Sequence, residues 1–451
     1  MSKTESFNPS NHSNNRISHF HDEDDDEDNS VNSIDSKDKY NKKNNLEKSH
    51  PRPKGDNEFY GIVNLMASAI GGGCMTFPSL LQTSGVVTSF LIFIFVSICI
   101  YFSLELLRSF ILTTHLYSLA EITSKLLGQK WLKIYVFCAI IFYLSVEINY
   151  INLIVEYGAK GLFSLEENDT YYLILFYCAL CLIEIILCLF TSKVSHIHIL
   201  SLFSVFCFIF FVIVLIIYSS KLLMTEEIKN KFSLDKLFMP SYGSLLQYIT
   251  SICTCFIQYV YAYSCHSSFP TLIGNLETQK EKTNRVVNIF FASTTILYII
   301  IALFGYISQI NTEEKIIFLF TEDIFNKIFL IAIIIFFICL IPIRYIVIRD
   351  SYLSIFPFDI SYKIELLFIA LNMILANIIS YFCSGDTNII FSINEIFGGV
   401  FGVVICFVLP VITYISINNK AKCKSIFGYI MAIFFLLVGL FTAGYSFCEK
   451  N

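Results

Sequence analysis

Long apolar runs dominate this sequence and limit what it can fold into. A helix needs about 20 predominantly apolar residues to cross the ~30 Å hydrocarbon core of a bilayer. From Glu58 onward we count eleven such runs, and they lack the alternation of a β-barrel strand. They cover residues 58–80, 86–110, 132–158, 171–190, 197–220, 246–271, 285–309, 325–348, 362–383, 389–416 and 424–446. The sequence therefore predicts an all-α integral membrane protein with 11 transmembrane helices, here called spans 1 to 11.

The charged residues are concentrated outside these runs. Only 15% of the 451 residues are charged, against about 25% in soluble proteins. Residues 1–57 are polar and low in complexity, with an acidic run from Asp22 to Asp28. They predict a disordered N-terminal tail without a signal peptide, followed by one transmembrane domain over residues 58–446. The net charge of −5 gives no basic field, so membrane lipids are expected as partners and nucleic acid is not.

The orientation follows from the placement of Lys and Arg, which favour cytosolic loops. With a cytosolic N-terminus, the inner loops hold Lys125, Lys130, Lys193, Lys280, Lys282, Arg285, Arg349, Lys420, Lys422 and Lys424. The outer loops then hold the acidic residues Glu166, Glu167, Asp169, Glu313, Glu314, Glu322 and Asp323. The glycosylation sequon that starts at Asn168 falls on the non-cytosolic side.

Span 1 contains a helix-breaking sequence in its middle. Gly71, Gly72 and Gly73 are followed by Pro78, and three glycines cost about 3 kcal/mol of helix propensity relative to alanine. In a membrane the freed backbone groups must face protein, water or a ligand. An unwound helix offers amides to a carboxylate and carbonyls to a cation, which predicts a binding site here. The alternative is a close contact between helices, for which small residues are also used.

A second interruption is predicted in span 6. The run from Tyr261 to Pro270 is polar and contains Tyr263, Ser264 and His266. Two interruptions five spans apart are typical of a five-plus-five inverted repeat, in which substrate lies between the two broken helices. His266 is either a packed, hydrogen-bonded residue or a proton relay.

The remaining ionisable residues of the spans also need an explanation, because they are costly in a membrane. Glu147 lies near the centre of span 3 with Asn149 and Asn152 close by, and it is a candidate proton carrier. Glu184 in span 4 is a weaker candidate.

Two arginines in the spans are expected to be structural. Glu105 and Arg108 are three residues apart and should pair. Arg344 follows Pro342 in span 8, toward its cytosolic end, and is expected to orient an inner gate rather than to contact a substrate.

Several of these stretches resemble the amino acid/auxin permease family, which includes the system A and N, the vesicular GABA and the proton-coupled amino acid transporters. The stretch from Asn64 to Gly73 resembles the family's first-helix signature, and the run from Tyr261 to His266 is similar to its sixth-helix run. Weaker similarities lie at residues 117–121, 342–344 and 397–410. The abundance of Phe and Tyr, with the Asn and Lys runs, indicates an AT-rich coding sequence of an apicomplexan, malaria parasite-like kind.

The resemblance implies a leucine-transporter-like fold, with one extra helix after the repeat, and secondary active transport of amino acids. It implies that the substrate carboxylate meets the backbone of Ile70, Gly71, Gly72 and Gly73. The site residues expected from span 6 are Tyr261, Tyr263, Ser264 and His266. Glu147 and His266 are the candidates for proton coupling.

Two departures from the family pattern bear on sodium. The sodium-coupled members have Asn where this chain has Ala67, and residues 326–348 of span 8 contain no Ser or Thr. We therefore expect proton-coupled symport or facilitated transport of neutral or cationic amino acids, in the plasma membrane or the membrane of an acidic vacuole.

Two other functional classes compete with transport. An amino-acid-binding nutrient sensor with little flux would use the acidic tail for signalling. A membrane enzyme based on His266 would need a second catalytic group at a suitable spacing, and the sequence offers none. The 15 cysteines, mostly within apolar runs, predict neither a disulfide framework nor a zinc site. No enzyme activity, catalytic residue, cofactor or metal is therefore predicted.

Overall fold

Helices make up nearly all of the computed structural model. It describes residues 57–165, 169–191, 197–224, 244–274, 276, 280–309, 324–355, 362–383, 394–417 and 422–448. Several predicted features lie outside the described residues. They are the N-terminal tail up to residue 56, Asn168 of the sequon, Lys193, Lys420 and every predicted outer acidic residue except Asp169.

The described residues contain fourteen α-helices, most of them within the predicted apolar runs. Their bounds are α1 Glu58–Ala69, α2 Phe77–Ser84, α3 Val86–Thr114, α4 Leu119–Leu127, α5 Gln129–Val155, α6 Thr170–Phe190, α7 Ile197–Leu223, α8 Leu245–Ala262, α9 Phe269–Gly274, α10 Lys280–Gln309, α11 Ile324–Leu353, α12 Tyr362–Cys383, α13 Leu409–Ile417 and α14 Lys422–Cys448. A 3₁₀ turn, Gly72–Thr76, joins α1 to α2. The wider π-helix extends α5 over Glu156–Leu162 and leads into α13 over Asn394–Gly402 and Val404–Val408.

The described helices agree with the predicted number of spans. Ten are long and apolar enough to cross a membrane, and α1 with the segment Gly72–Ser84 forms an eleventh, bent by 54°. Predicted span 6 consists of α8 and α9 with a break between them, and α4 is a short helix between spans 2 and 3. The chain is a multi-pass membrane protein.

The helices divide into an inner and a lipid-facing set. α11 packs against α5 and α7, and α5 carries buried residues along its whole length. By contrast, α6, α12 and α14 present exposed apolar side chains such as Leu182, Leu371 and Leu437. Such a surface suits lipid, so the buried polar residues of α5 and α11 are the ones that need a functional explanation.

An aromatic cluster holds the start of α2 against its neighbours. The Phe77 ring lies edge-on to the rings of Phe93, Tyr259 and Tyr298, at centroid distances of 6.0, 4.9 and 5.1 Å. Pro78 occupies the first turn of α2, where its missing N–H costs nothing. The break in span 1 is therefore fixed on one side by packing against α3, α8 and α10.

Candidate functional site

The break in span 1 leaves three buried backbone amides without a helical acceptor. Helix α1 ends at Ala69, and Ile70 and Gly71 are extended. The N–H groups of Gly71, Gly72 and Gly73 donate to no backbone carbonyl of the described residues. The Gly72 N–H instead donates to the Tyr150 hydroxyl. Three neighbouring amides without backbone acceptors can bind an anion such as a carboxylate once Tyr150 moves away.

The three glycines are also packed too closely to carry side chains. A Cβ atom on Gly71 would lie 2.0 Å from the Tyr150 hydroxyl oxygen, and one on Gly72 would lie 2.6 Å from Asn149 Nδ2. A Cβ on Gly73 would lie 2.9 Å from the Cα of Ala262. The glycine run is therefore both an unwound stretch of backbone and a close contact between helices. A bulky substitution such as Gly72→Leu would collide with Asn149 and Leu153 of α5 whether or not substrate binds there.

The break in span 6 lies beside it. After Ala262 the backbone turns, with Cys265 N–H donating to the Tyr263 carbonyl at 2.8 Å. The Ser264 hydroxyl donates to the Tyr261 carbonyl at 2.7 Å and the Ser268 hydroxyl to the Cys265 carbonyl at 3.0 Å. The predicted polar run therefore satisfies its own freed carbonyls and lets the chain resume as α9.

One tyrosine joins the two breaks. The Tyr298 hydroxyl of α10 lies 2.7 Å from the carbonyl oxygen of Ala262 and 3.2 Å from that of Ala69. These two alanines are the last residues of α8 and α1, which hold equivalent places in the inverted repeat. Tyr298 therefore holds the two helix ends together.

We expect Tyr298→Phe to lower the stability of the protein by about 1–3 kcal/mol, because it leaves two buried helix-end carbonyls without their donor. Thermal unfolding of the purified protein in detergent measures the change. Tyr306→Phe is a matched control on the same helix, since its hydroxyl makes no hydrogen bond within the described structure. Equal midpoints for the two variants would contradict this role of Tyr298.

The residues predicted from span 6 divide into two groups. The Tyr261 ring lies between Gly73 and Gly398, where a Cβ would come within 2.9 and 2.8 Å of ring carbons. Ser264 is buried in the break itself. The Tyr263 hydroxyl instead bonds Thr295 of α10 at 2.9 Å and accepts from Ser97 of α3 at 3.2 Å, so it holds neighbouring helices.

His266 is fully buried and its surroundings give it no partner. Neither ring nitrogen has a hydrogen bond within the described residues. Of the two interpretations of His266, the packed residue agrees with its burial, but the hydrogen bond expected with it is absent among the described residues. Ser267 and Ser268, the next two residues, line a cavity that also reaches Tyr135, Thr271 and Asp350.

The Arg344 guanidinium lies between α5 and the span 6 break. Nη2 donates to the Tyr150 hydroxyl oxygen at 3.2 Å and Nη1 to the Ser264 carbonyl at 3.4 Å. The residue is 3% exposed. Its position follows from the packing of α11 on α5, which periodicity within one apolar run does not predict.

Glu147 is buried on a different face of α5. Its Oε2 accepts from Asn372 Nδ2 of α12 at 2.6 Å, and Oε1 has no partner among the described residues. Asn149 and Asn152, which are close to it in the sequence, do not bond it, because residues two and five positions away point to other faces of a helix. Asn149 faces Gly72, and Asn152 accepts from Ser380.

Glu184 repeats this arrangement. Its Oε2 accepts from Asn377 Nδ2 of α12 at 2.7 Å, and its Oε1 also lacks a partner in the part of the chain described. Two buried carboxyl groups therefore face α12, while Tyr150 and Asn149 on the same helix as Glu147 face the span 1 break. The predicted pair of Glu105 and Arg108 is confirmed, with Arg108 Nη2 2.6 Å from Glu105 Oε2.

Comparison with known families decides the classification of the chain. A family model described as transmembrane amino acid transporter protein matches residues 54–449. The chain belongs to this amino acid transporter family. The match confirms the predicted membership of the amino acid/auxin permease family and covers every described residue.

Solved structures similar to this family member share its fold. MhsT in complex with L-phenylalanine has a TM-score of 0.58 at 16% identity, covering 89% of this chain and 100% of that one. A manganese transporter of Eremococcus coleocola has a TM-score of 0.59 at 12% identity, covering 86% of each chain. A Na⁺-coupled sialic acid symporter has a TM-score of 0.54 at 15% identity, covering 87% of this chain and 91% of that one.

These likenesses confirm the predicted leucine-transporter-like fold. At such low identity they establish the fold and not the substrate. Within the described residues, no group of three or more His, Cys, Asp and Glu could hold a metal ion. No curated protein matches the chain at a significant level.

Proposed function

We propose that this amino acid transporter is proton-coupled and independent of sodium, and that it binds its substrate between the breaks of spans 1 and 6. The observation that carries the proposal is the junction of the two breaks at Tyr298, beside three amides without backbone acceptors. Amides of Gly71–Gly73 suit a carboxylate, and the carbonyl ends of α1 and α8 suit an ammonium group.

Substrate reaches this site by separation of α5 from the span 1 break. Tyr150 and Asn149 lie against the glycines and must move before a ligand can contact the amides. The cavity beside the span 6 break is also lined by Ser118 and Ala120 at the start of α4. The Lys and Arg pattern assigns that side to the cytosol, so we propose that this cavity is the cytosolic path. Movement of one group of helices against another would then give alternating access.

The case for sodium independence rests on missing oxygen ligands. Ala67 offers no side-chain oxygen, and the first serine or threonine of α11 after Asn326 is Ser351. That hydroxyl donates to the Val347 carbonyl at 2.7 Å within its own helix. Because sodium is a hard cation that binds oxygen, the described part of span 8 gives it little to bind.

We therefore expect that replacing external sodium by choline leaves the initial rate of amino acid uptake within about twofold, well under the tenfold that 1.4 kcal/mol of lost binding would give. The measurement is uptake of labelled amino acids into proteoliposomes at fixed pH and membrane potential. A steep, saturable sodium dependence would contradict this part of the proposal, and the carbonyls of Ala67 and Ile70 would then be examined as ligands.

Proton coupling is assigned to Glu147. A buried carboxyl group without a cation near it is costly when ionised, so proton uptake and release there can be linked to movement of α5 against α12. His266 is the rival carrier, because histidine ordinarily titrates between pH 5 and 8. We also propose a cytosolic N-terminus and either the plasma membrane or an acidic vacuole as the location.

A further inference from the structure

Arg344 is a buried cation without a counter-ion among the described residues. The ion pairs of the described residues involve Arg108, Arg285 and Arg349, and none involves Arg344. Its Nε is buried and has no hydrogen-bond partner there. Charged side chains inside membrane proteins pair with one another or with backbone carbonyls, and they mark substrate pathways. Arg344 has one long bond to a carbonyl, that of Ser264 at 3.4 Å, and no carboxylate among the described residues, so a ligand anion would complete its pairing.

The groups around Arg344 do not supply that anion. The titratable side chains that act on its charge include those of Tyr143, Tyr150 and Cys265, which are phenols and a thiol and not carboxylates, and Nη1 donates to the Ser264 carbonyl. The buried carboxyl groups of the described spans, Glu147 and Glu184, are instead bonded to Asn372 and Asn377 of α12. The region between the two breaks therefore carries one uncompensated positive charge.

The position of this charge points to the substrate. Arg344 touches the span 6 break through Ser264, and it touches Tyr150, whose hydroxyl lies against Gly71 of the span 1 break. On the basis of the proposed transport function, we propose that Arg344 binds a carboxylate in the substrate side chain and that the transporter prefers acidic amino acids.

Charge balance separates the substrate classes. An acidic amino acid carries one net negative charge and neutralises Arg344, with its α-carboxylate at the glycine amides and its ammonium at the helix-end carbonyls. A neutral amino acid leaves the site with one positive charge and a cationic one leaves it with two. The proposal therefore replaces the neutral or cationic substrates expected from the sequence.

The hydrogen bonds of Arg344 allow such a ligand to bind in a defined way. Nε is free, and Nη2 holds the Tyr150 hydroxyl at 3.2 Å, longer than a charge-assisted bond to a carboxylate. A side-chain carboxylate can bind Nε and Nη2 together, as guanidinium groups commonly do. Binding of this carboxylate displaces the Tyr150 hydroxyl from Arg344. Substrate binding is thereby coupled to release of the contact between Tyr150 and Gly71.

The test compares uptake of L-glutamate, L-glutamine and L-lysine in proteoliposomes. For the unchanged chain we expect glutamate uptake at least about tenfold faster than glutamine uptake at equal low concentration. Arg344→Gln should lower the ratio of glutamate uptake to glutamine uptake by about 10- to 150-fold, which is the factor given by the loss of a hydrogen bond to a charged group. Arg344→Lys should give an intermediate ratio, because it keeps the charge but not the planar fork.

Arg108→Gln is the control for the loss of a partly buried arginine. Arg108 pairs with Glu105 within α3 and belongs to neither break. It should leave the glutamate-to-glutamine ratio unchanged. If the unchanged chain transports glutamine or lysine as well as glutamate, the inference is wrong and the transport function stands. If the unchanged chain transports neither these three amino acids nor any other, the proposed transport function itself fails. Should Arg344→Gln not fold, an unchanged ratio in Arg344→Lys overturns the inference.

Discussion

Glu147→Gln is expected to abolish accumulation of amino acid driven by a pH gradient while leaving amino acid exchange intact. Glutamine has the shape of a protonated glutamate and keeps a hydrogen bond with Asn372, but it cannot release a proton. A gradient of about two pH units corresponds to about 2.7 kcal/mol, or up to about 100-fold accumulation with one proton per substrate. In the variant the internal and external concentrations should become equal.

The measurement is uptake at about pH 5.5 and about pH 7.5, on either side of the ordinary histidine titration, in Glu147→Gln and His266→Ala. Glu184→Gln is the matched comparison, because it alters a second buried carboxyl group that an asparagine of α12 also holds. If Glu147→Gln keeps the full pH response and His266→Ala loses it, the proton carrier lies in span 6. A response unchanged in both variants would exclude proton coupling through either residue.

Gly71→Ala is expected to lower transport by about 100-fold or more and to destabilise the protein. Its φ of −166° is open to any residue, so the effect comes from space and not from backbone conformation. The added Cβ would lie 2.0 Å from the Tyr150 hydroxyl oxygen, and overpacking of this kind costs about 1–3 kcal/mol or more. Because Tyr150 also contacts Arg344, the displaced ring disturbs the region between both breaks.

Two further variants make this prediction specific. Gly444→Ala is the matched control, since a Cβ there would meet no atom within 4 Å, and it should transport normally. Tyr150→Phe in the Gly71→Ala background removes the colliding oxygen and should recover part of the lost stability, although the ring carbon at 3.0 Å remains. Thermal unfolding and uptake are measured on all of these variants. Normal behaviour of Gly71→Ala would show that α5 does not pack on the break as described.

The sequence predicts the structural features whose causes lie within a single helix. Apolar runs give the spans, because bilayer thickness sets helix length. The glycine run gives the break in span 1, and spacing of three residues gives the pair of Glu105 and Arg108. In each case the physical cause acts within one helix, so neighbouring residues suffice to predict the result.

The site contains partners that come from distant parts of the chain. Tyr298 bonds Ala69, 229 residues earlier, and Asn372 bonds Glu147, 225 residues earlier. Asn372 is visible as a polar residue in the apolar run of α12, but the sequence does not show which residue it or Tyr298 bonds, because that depends on which helices pack together. Arg344 was visible as a charge in an apolar run, but its contacts with Tyr150 and Ser264 depend on the same packing.

The most direct test of the account is counterflow with the purified full chain in proteoliposomes. Vesicles loaded with an unlabelled amino acid are diluted into a trace of the labelled compound, and internal label is followed with time. Transport through a site between the two breaks predicts saturable uptake that rises transiently above equilibrium and is absent from empty liposomes. Binding of amino acid by the purified chain without any counterflow would contradict transport and would favour a membrane sensor instead.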